Sequence, residues 1–184
     1  EQLLDLPLVV VLDEAYVEFA PAGSSRIQLA AERENLIVLR TFSKWAGLAG
    51  LRVGYGVFPS SLMQHLWKIK QPYNVNAVAA AAAVAALEDG AWLYEKAGML
   101  VAERDRLIAL LDQFDSLQPF PSWSNFVLCR VSGREAKDLR DQLAAQGILV
   151  RYFAKPGLEK CIRISAGRPG DTDLLIQALN TLEV

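Results

Sequence analysis

The chain has 184 residues, enough for one large domain or two small ones with a sizeable buried core. Its hydrophobic content of 52% indicates an ordered globular protein, and its net charge of -2 argues against a general nucleic-acid surface. No apolar run reaches the roughly 18 residues that a membrane span needs, so we expect no membrane partner.

Three short β-rich runs, at residues 8–12, 36–39 and 52–59, predict a sheet in the first half of the chain. Unbroken apolar runs of this kind are typical of strands buried on both faces, hence of a mostly parallel sheet between helices. The intervening segment 14–34 is long enough for a right-handed crossover. The chain begins with a helix-like stretch, EQLLDLP, directly before the first strand, so we expect further strands of this sheet upstream.

Three helices are predicted next in the chain. The first runs from Pro59 through Lys70, the second is alanine-rich and spans 77–88, and the third is a long amphipathic helix over 91–114. His65 lies in the first of them, and we expect it to be an ordinary surface or packing residue rather than a base.

The pattern after the long helix changes to an α+β layout. We expect strands at 124–131, 147–153 and 161–167 and helices at 134–146 and 171–182. A domain boundary therefore falls at the long helix, giving residues 1–90 and 91–184. The two cysteines, Cys129 and Cys161, lie in strand-like runs without a Cys or His at ligand spacing, so we expect no metal site and a reducing, cytoplasmic setting.

Reactive groups follow two of the predicted strands. Asp13 ends the first run and Lys44 follows the second. The carboxyl ends of parallel strands lie at one edge of a sheet, where ligands bind, and neighbouring strands are only about 5 Å apart. Further polar residues flank these two in the sequence: Tyr16, Thr41, Ser43 and Arg52.

These residue types together favour a pyridoxal phosphate site. A lysine amine can form a Schiff base with the aldehyde, and a carboxylate can keep the pyridine nitrogen protonated so that the ring accepts electrons. Arginine and hydroxyl groups can hold the phosphate. Each residue taken singly is ordinary, as a helix cap, a solvated charge or a packing residue. The segment TFSK lacks the glycine loop that precedes the lysine of a nucleotide-binding P-loop.

Three segments, VVVLDEAYVEF, LRTFSKWAGLAGLRVGYG and KQPYNVNAVAAAA, resemble the fold-type I pyridoxal-phosphate aminotransferases, in the histidinol-phosphate aminotransferase branch. The segment LVRYFAKPGLEKCIRISAGRP agrees with that branch. The resemblance covers essentially the whole chain. It implies an α/β fold made of the C-terminal part of the cofactor-binding large domain, followed by a small α+β domain.

The resemblance also implies roles for the residues of the first domain. Lys44 would be the Schiff-base lysine and the proton shuttle, Asp13 would pair with the pyridine nitrogen, and Tyr16 would pair with the ring oxygen. The cofactor phosphate would be held by Thr41, Ser43 and Arg52.

Three residues of the second domain would contact the substrate. Arg163 matches an arginine that binds a substrate carboxylate, Arg151 matches one that grips the phosphate of histidinol phosphate, and Asn125 occupies a position typical of the family near the face of the small domain. Arg163 lies between Ile162 and Ile164, so its side chain should point to the opposite face of the strand from theirs.

The function implied is transfer of an amino group between histidinol phosphate and 2-oxoglutarate, in histidine biosynthesis, by a homodimer. Two alternatives stay open. One is another pyridoxal phosphate enzyme of the same fold, such as an amino-acid-phosphate decarboxylase or an aromatic aminotransferase. The other is a non-catalytic fragment, because the resemblance implies that the first part of the large domain is not in this chain. We therefore expect the parent protein to be an enzyme and this chain alone to be inactive.

Overall fold

The computed structural model describes residues 2–182. The chain divides into two compact units, Glu1–Glu95 and Lys96–Val184. The strands are β1 (Val10–Asp13), β2 (Leu36–Thr41), β3 (Gly54–Val57), β4 (Leu117–Pro119), β5 (Phe126–Val131), β6 (Arg151–Tyr152) and β7 (Cys161–Ser165). The α-helices are α1 (Ile27–Ala30), α2 (Ser60–Ile69), α3 (Ala77–Glu88), α4 (Gly90–Leu111), α5 (Ala136–Ala145) and α6 (Pro169–Thr181). Short 3-10 helices occupy Gln2–Asp5, Val17–Phe19 and Ala49–Leu51.

The sheet of the first unit has the strand order β1-β2-β3. β1 and β2 pair in parallel, as predicted, with Asp13 opposite Leu39, so both strands end at the same edge. Val38 is buried in a core cluster, whereas Val11 is 56% exposed. The expectation of burial on both faces is therefore wrong for β1, since the described residues leave the Val11 side of the strand uncovered.

The third strand runs in the opposite direction from the one predicted. β3 pairs with β2 antiparallel, with Thr41 opposite Gly54. The Phe42 amide donates to the Val53 carbonyl at 3.2 Å, which continues the antiparallel pairing beyond the strand ends. Because the connection holds only a turn of 3-10 helix, the chain reverses instead of crossing over the sheet.

The two longer helices of the first unit, α2 and α3, agree with the predicted ones, whereas the short helix α1 was not predicted. α2 and α3 lie where the sequence placed them, and the Asn76 side chain caps α3 by accepting the Ala79 amide at 2.8 Å. His65 is exposed on α2, and Glu1 of the predicted helical start lies outside the described residues. Over residues 2–182, no single helix has the length and apolar character to cross a membrane, although α3 and α4 taken as a bent pair do.

The second unit has an antiparallel sheet in the order β4-β5-β7-β6, with three helices packed on one face. Each helix contributes two leucines spaced four residues apart, which places them on one helix face. These leucines are Leu107 and Leu111 in α4, Leu139 and Leu143 in α5, and Leu175 and Leu179 in α6. Both cysteines are free and buried here, and burial raises the pKa of Cys129 to about 12.

Three details of the second unit differ from the prediction. β4 was not predicted. β6 spans two residues rather than seven, because the Gly147 amide and the Ile148 amide cap the end of α5 by donating to its carbonyls. α6 begins at Pro169, before the predicted start, with the Asp171 carboxylate accepting the Arg168 amide at 2.9 Å. The domain boundary at residue 90 stays a prediction; the compact units divide within α4.

Candidate active site

The carboxyl edge of the first sheet brings together two of the residues singled out from the sequence. Lys44 Nζ lies 5.5 Å from the centroid of the Tyr16 ring. Asp13 is the last residue of β1, and its carboxylate accepts the Ala15 amide at 3.0 Å in the turn that leads to Tyr16. An amine, a phenol and a carboxylate thus occupy one sheet edge, as the parallel pairing of β1 and β2 requires.

The two predicted phosphate-binding hydroxyls lie in one turn directly before the lysine. The Ser43 amide donates to Thr41 Oγ1 at 3.1 Å, and the two hydroxyl oxygens are 2.9 Å apart. Such a side-chain contact to the backbone shapes the turn locally. Both hydroxyls therefore belong to the segment that carries Lys44.

Arg52 has a left-handed backbone, with φ 57° and ψ 42°. For a residue with a Cβ this conformation costs about 1–2 kcal/mol, and such strain is concentrated at functional sites. Its guanidinium donates to the Ala49 carbonyl at 3.2 Å. The structure thus places Arg52 in a strained turn but gives it no hydrogen bond to Thr41 or Ser43.

Aromatic packing anchors the segment around Lys44. Phe42 is buried, and its ring centroid lies 5.8 Å from that of Trp45. Trp45 in turn stacks on Tyr94 at 5.3 Å. The exposed lysine therefore projects from a backbone held by apolar neighbours on both sides in the sequence.

A buried polar network beside this edge was missed in the sequence. Arg40, the residue before Thr41, forms ion pairs with Glu14 and Glu18 at 2.9 and 3.1 Å. Its guanidinium also donates to the Ser25 hydroxyl at 2.8 Å. The signal available in the sequence was the position of two charged residues, Glu14 and Arg40, at the ends of buried-type strands.

The second unit carries a pair of arginines on one face of its sheet. Arg151 in β6 lies directly opposite Arg163 in β7. Ile164 is in the core, so Arg163 points away from the core, as the alternation predicted. The Arg163 guanidinium lies 4.9 Å from the Phe126 ring centroid and 5.6 Å from that of Phe153, and its Nε is buried without a hydrogen-bond partner.

Asn125 directly precedes β5. Its carbonyl accepts the Ala166 amide at 2.9 Å, which ties it to the end of β7. The neighbouring Ser124 carbonyl accepts a hydrogen bond at 3.1 Å from Arg104, a buried residue of α4 that was not singled out from the sequence. Arg104 therefore fixes the backbone next to Asn125.

The donor set of the first unit fits pyridoxal phosphate. An amine can form a Schiff base with the aldehyde, and a carboxylate can pair with the protonated pyridine nitrogen. A phenol can donate a hydrogen bond to the ring oxygen, and two hydroxyls and a guanidinium can bind the phosphate. Across residues 2–182, no group of three or more His, Cys, Asp or Glu side chains is arranged to hold a metal ion.

Comparison with known proteins assigns the class. Residues 2–179 match the model of the aminotransferase class I and II family, so the chain belongs to that family, as its motifs indicated. Over 182 residues it is 52% identical to a histidinol-phosphate aminotransferase of Roseiflexus castenholzii, a match that covers 97% of this chain and 48% of that protein. The chain thus spans about half the length of the curated relatives it matches.

Solved structures confirm the predicted fold class. Histidinol-phosphate aminotransferase from Sinorhizobium meliloti, in complex with pyridoxal-5'-phosphate, matches with a TM-score of 0.82 at 35% identity, over 95% of this chain and 48% of that one. L-threonine-O-3-phosphate decarboxylase from Porphyromonas gingivalis matches with a TM-score of 0.86 at 30% identity, over 94% of this chain and 54% of that one.

Proposed function

We propose that the protein carrying this chain is a pyridoxal phosphate-dependent aminotransferase that acts on histidinol phosphate and 2-oxoglutarate. The observation that carries the proposal is the 5.5 Å approach of Lys44 Nζ to the Tyr16 ring, at the strand edge that Asp13 ends. The identity of 52% to a histidinol-phosphate aminotransferase supports the substrate class.

Residues of the first unit hold the cofactor in this proposal. Lys44 binds its aldehyde, Asp13 pairs with its pyridine nitrogen, and Tyr16 donates to its ring oxygen. The phosphate is bound by the hydroxyls and guanidinium of Thr41, Ser43 and Arg52. When bound, pyridoxal phosphate supplies an electron sink for negative charge at the substrate's α carbon. Once the substrate amine has displaced Lys44 from the aldehyde, its free Nζ would act as a general base and take up the proton that leaves this carbon.

Residues of the second unit bind the anionic groups of the substrates. Arg151 and Arg163 are like charges placed directly opposite each other, an arrangement that is unfavourable until an anion lies between or beside them. The buried, unpartnered Nε of Arg163 is a donor that a carboxylate can satisfy. In the proposal, Arg163 binds the carboxylate of the oxo acid, Arg151 the phosphate of histidinol phosphate, and Asn125 lines the same substrate region.

Decarboxylation is the second candidate, because a threonine-phosphate decarboxylase matches this chain at a TM-score of 0.86. Both reactions would use the same lysine, carboxylate and phosphate-binding groups. Only decarboxylation releases carbon dioxide, so the products separate the two.

The test measures products in the full-length protein that carries this chain. With pyridoxal phosphate, histidinol phosphate and 2-oxoglutarate, we expect glutamate to form without carbon dioxide. Lys44→Arg should abolish glutamate formation, whereas Lys70→Arg, at an exposed lysine of the same unit, should not. Glutamate formed equally by Lys44→Arg, or no glutamate from the unmodified protein, would contradict the proposal. Carbon dioxide from an amino-acid phosphate would favour the second candidate.

The homodimer and the cytoplasmic setting stay predictions. Sedimentation velocity of the full-length protein tests the first, with a concentration-independent dimer as the expected result. Both cysteines are free and buried, which is compatible with a reducing setting.

A further inference from the structure

The polar network around Arg40 is built from side chains that the proposed cofactor site does not use. Glu14 accepts from three groups: Arg40 Nε at 2.9 Å, the Ser25 hydroxyl at 2.9 Å and the Arg26 amide at 2.5 Å. Arg40 donates in addition to Glu18 at 3.1 Å and to Ser25 at 2.8 Å. The side chains of Glu14 and Glu18 are almost fully buried, so the contacts are shielded from water.

The network joins the ends of two strands. Glu14 is the residue after Asp13, and its amide donates to the Leu39 carbonyl at 2.9 Å, which extends the pairing of β1 with β2. Arg40 is the residue before Thr41. Because neighbouring residues of a strand point to opposite faces, Arg40 and Thr41 project to opposite sides of β2.

The network also reaches the turn that carries the phenol. Glu18 lies in the 3-10 helix Val17–Phe19, directly after Tyr16. The Arg40–Glu18 contact therefore fixes this turn to β2, and the Arg40–Glu14 contact fixes the end of β1 to β2. The three backbone segments that present Asp13, Tyr16 and the Thr41–Lys44 turn are thereby held by one guanidinium.

We propose that Arg40 is a positioning residue for the cofactor site, acting with Glu14 to hold Asp13 and Tyr16 in place against the Thr41–Lys44 turn. The inference rests on the proposed function. The hydrogen bonds of Arg40 go to Glu14, Glu18 and Ser25, which are not among the proposed cofactor-binding residues, so Arg40 acts through the backbone of its neighbours.

A contribution to stability alone does not explain why these charged groups are buried together. A buried ion pair is a weak stabiliser, and apolar residues of similar size often replace one without loss of stability. The planar, forked guanidinium instead fixes direction as well as distance, because its nitrogens bond three different side chains at once. Precise placement matters most where ligand groups must meet, since a displacement of about 1 Å in an active site can cost on the order of a hundredfold in rate.

The test compares Glu14→Gln and Arg40→Lys with the unmodified full-length protein, and uses Lys137→Met as the control at an exposed ion pair of the other unit. Two quantities are measured: the dissociation constant for pyridoxal phosphate, and the pH midpoint of the visible absorbance change of the loaded protein. We expect both variants to raise the dissociation constant about tenfold, the effect typical of losing a group that orients a ligand, and to shift the midpoint. The control should leave both quantities unchanged.

Three outcomes are distinguishable. Variants that unfold at lower temperature but keep the unmodified dissociation constant and pH midpoint would overturn the positioning role while leaving the proposed function intact. An unmodified protein that does not bind pyridoxal phosphate would overturn both. If Glu14→Gln and Arg40→Lys do not fold, Ser25→Ala is measured in their place, because it removes only the hydroxyl that bridges Glu14 and Arg40. A dissociation constant of Ser25→Ala equal to that of the unmodified protein would then overturn the positioning role.

Discussion

The two sheets of this protein are stabilised by different kinds of contact. The sheet of the second unit is covered on one face by a continuous core with leucines from three helices. The sheet of the first unit has a small core cluster on one face, with Val11 of β1 exposed on the other, and a second small cluster lies around Phe42 and Val53 beyond the ends of β2 and β3. Ion pairs and hydrogen bonds around Arg40 join the ends of β1 and β2.

This difference indicates where stability and ligand binding reside. Apolar packing is proportional to buried area and insensitive to direction, so it stabilises the second unit without orienting any one group. Hydrogen-bonded charges contribute little net free energy but fix geometry, as a site with several ligands requires. Substitutions in the two units should therefore change different measured quantities.

The largest expected effect is on the core of the second unit. Leu143 is fully buried, so Leu143→Ala should lower the free energy of unfolding by about 2–5 kcal/mol through lost burial and the cavity left behind. Leu149 is 85% exposed in the same unit, and Leu149→Ala should change the free energy of unfolding by less than about 0.5 kcal/mol. Urea unfolding monitored by alkylation of the two buried cysteines reports on this unit alone. Equal effects of the two substitutions would contradict the account of the core.

The next effect concerns the pairing of β2 with β3. A Cβ at Gly54 would lie 2.7 Å from the backbone carbonyl oxygen of Arg40, which cannot move without disturbing the strand. Gly54→Ala should therefore destabilise the first unit by about 1–3 kcal/mol. Gly50→Ala is the matched control, since its Cβ would meet no atom within 4 Å, and it should be neutral or slightly stabilising. Thermal unfolding of both variants measures the two effects. An unchanged stability of Gly54→Ala would show that the Arg40 carbonyl can move away from an added Cβ at no cost.

A smaller effect of opposite sign is expected at the strained arginine. Arg52→Gly relieves the left-handed backbone and should stabilise the chain by up to about 1 kcal/mol, while weakening pyridoxal phosphate binding. Arg52→Lys keeps the strain and a positive charge but loses the forked donor, so it should weaken binding without the gain in stability. Unfolding and cofactor titration are measured on the same samples. Loss of stability in Arg52→Gly with unchanged binding would show that Arg52 is structural.

The smallest effect is the pH dependence of the polar network. Burial raises the pKa of Glu18 above the usual value of 4.5, although backbone hydrogen bonding and Arg40 oppose the shift. The folded state therefore binds this proton more tightly than the unfolded state, and the associated stability, present below pH 4.5, is lost as pH rises through the folded pKa. Glu18→Gln removes this ionisation.

The measurement is the free energy of unfolding of Glu18→Gln and of the unmodified protein across the acid range. The stability of the variant relative to the unmodified protein should increase with pH above about 4.5. Glu32→Gln, at an exposed glutamate of the same unit, is the control and should show no such trend. A difference that does not change with pH would mean that Glu18 is not protonated preferentially in the folded state.

Local patterns predicted most of the elements but not the contacts between distant segments. Helices α2 and α3 and the direction of the Arg163 side chain follow from periodicity and alternation. β4 was missed because it is three residues long and ends in Pro119. The direction of β3 depends on how the preceding loop folds back, which no local pattern shows.

In the candidate site, too, local sequence patterns predicted positions along the chain but not all contacts between distant segments. The positions of Asp13 and Lys44 at strand ends could be deduced, because parallel strands end together. The Arg40–Glu14 pair was missed, although both residues lie at the ends of buried-type strands, because its members are separated by 26 residues and each is an ordinary charged residue in the sequence. The left-handed conformation of Arg52 was also unpredictable, because only tertiary structure can hold a non-glycine residue there.

Covalent mapping on the 184-residue chain tests directly whether the edge of the first sheet is the cofactor site. The chain is mixed with pyridoxal phosphate, its absorbance is recorded, and the adduct is reduced with borohydride before peptide mapping. We expect the label to be concentrated on Lys44 and to be weakened by Asp13→Asn, with Lys68 and Lys70 as exposed controls in the same unit. A label spread evenly over the exposed lysines would show that this edge is not the cofactor site.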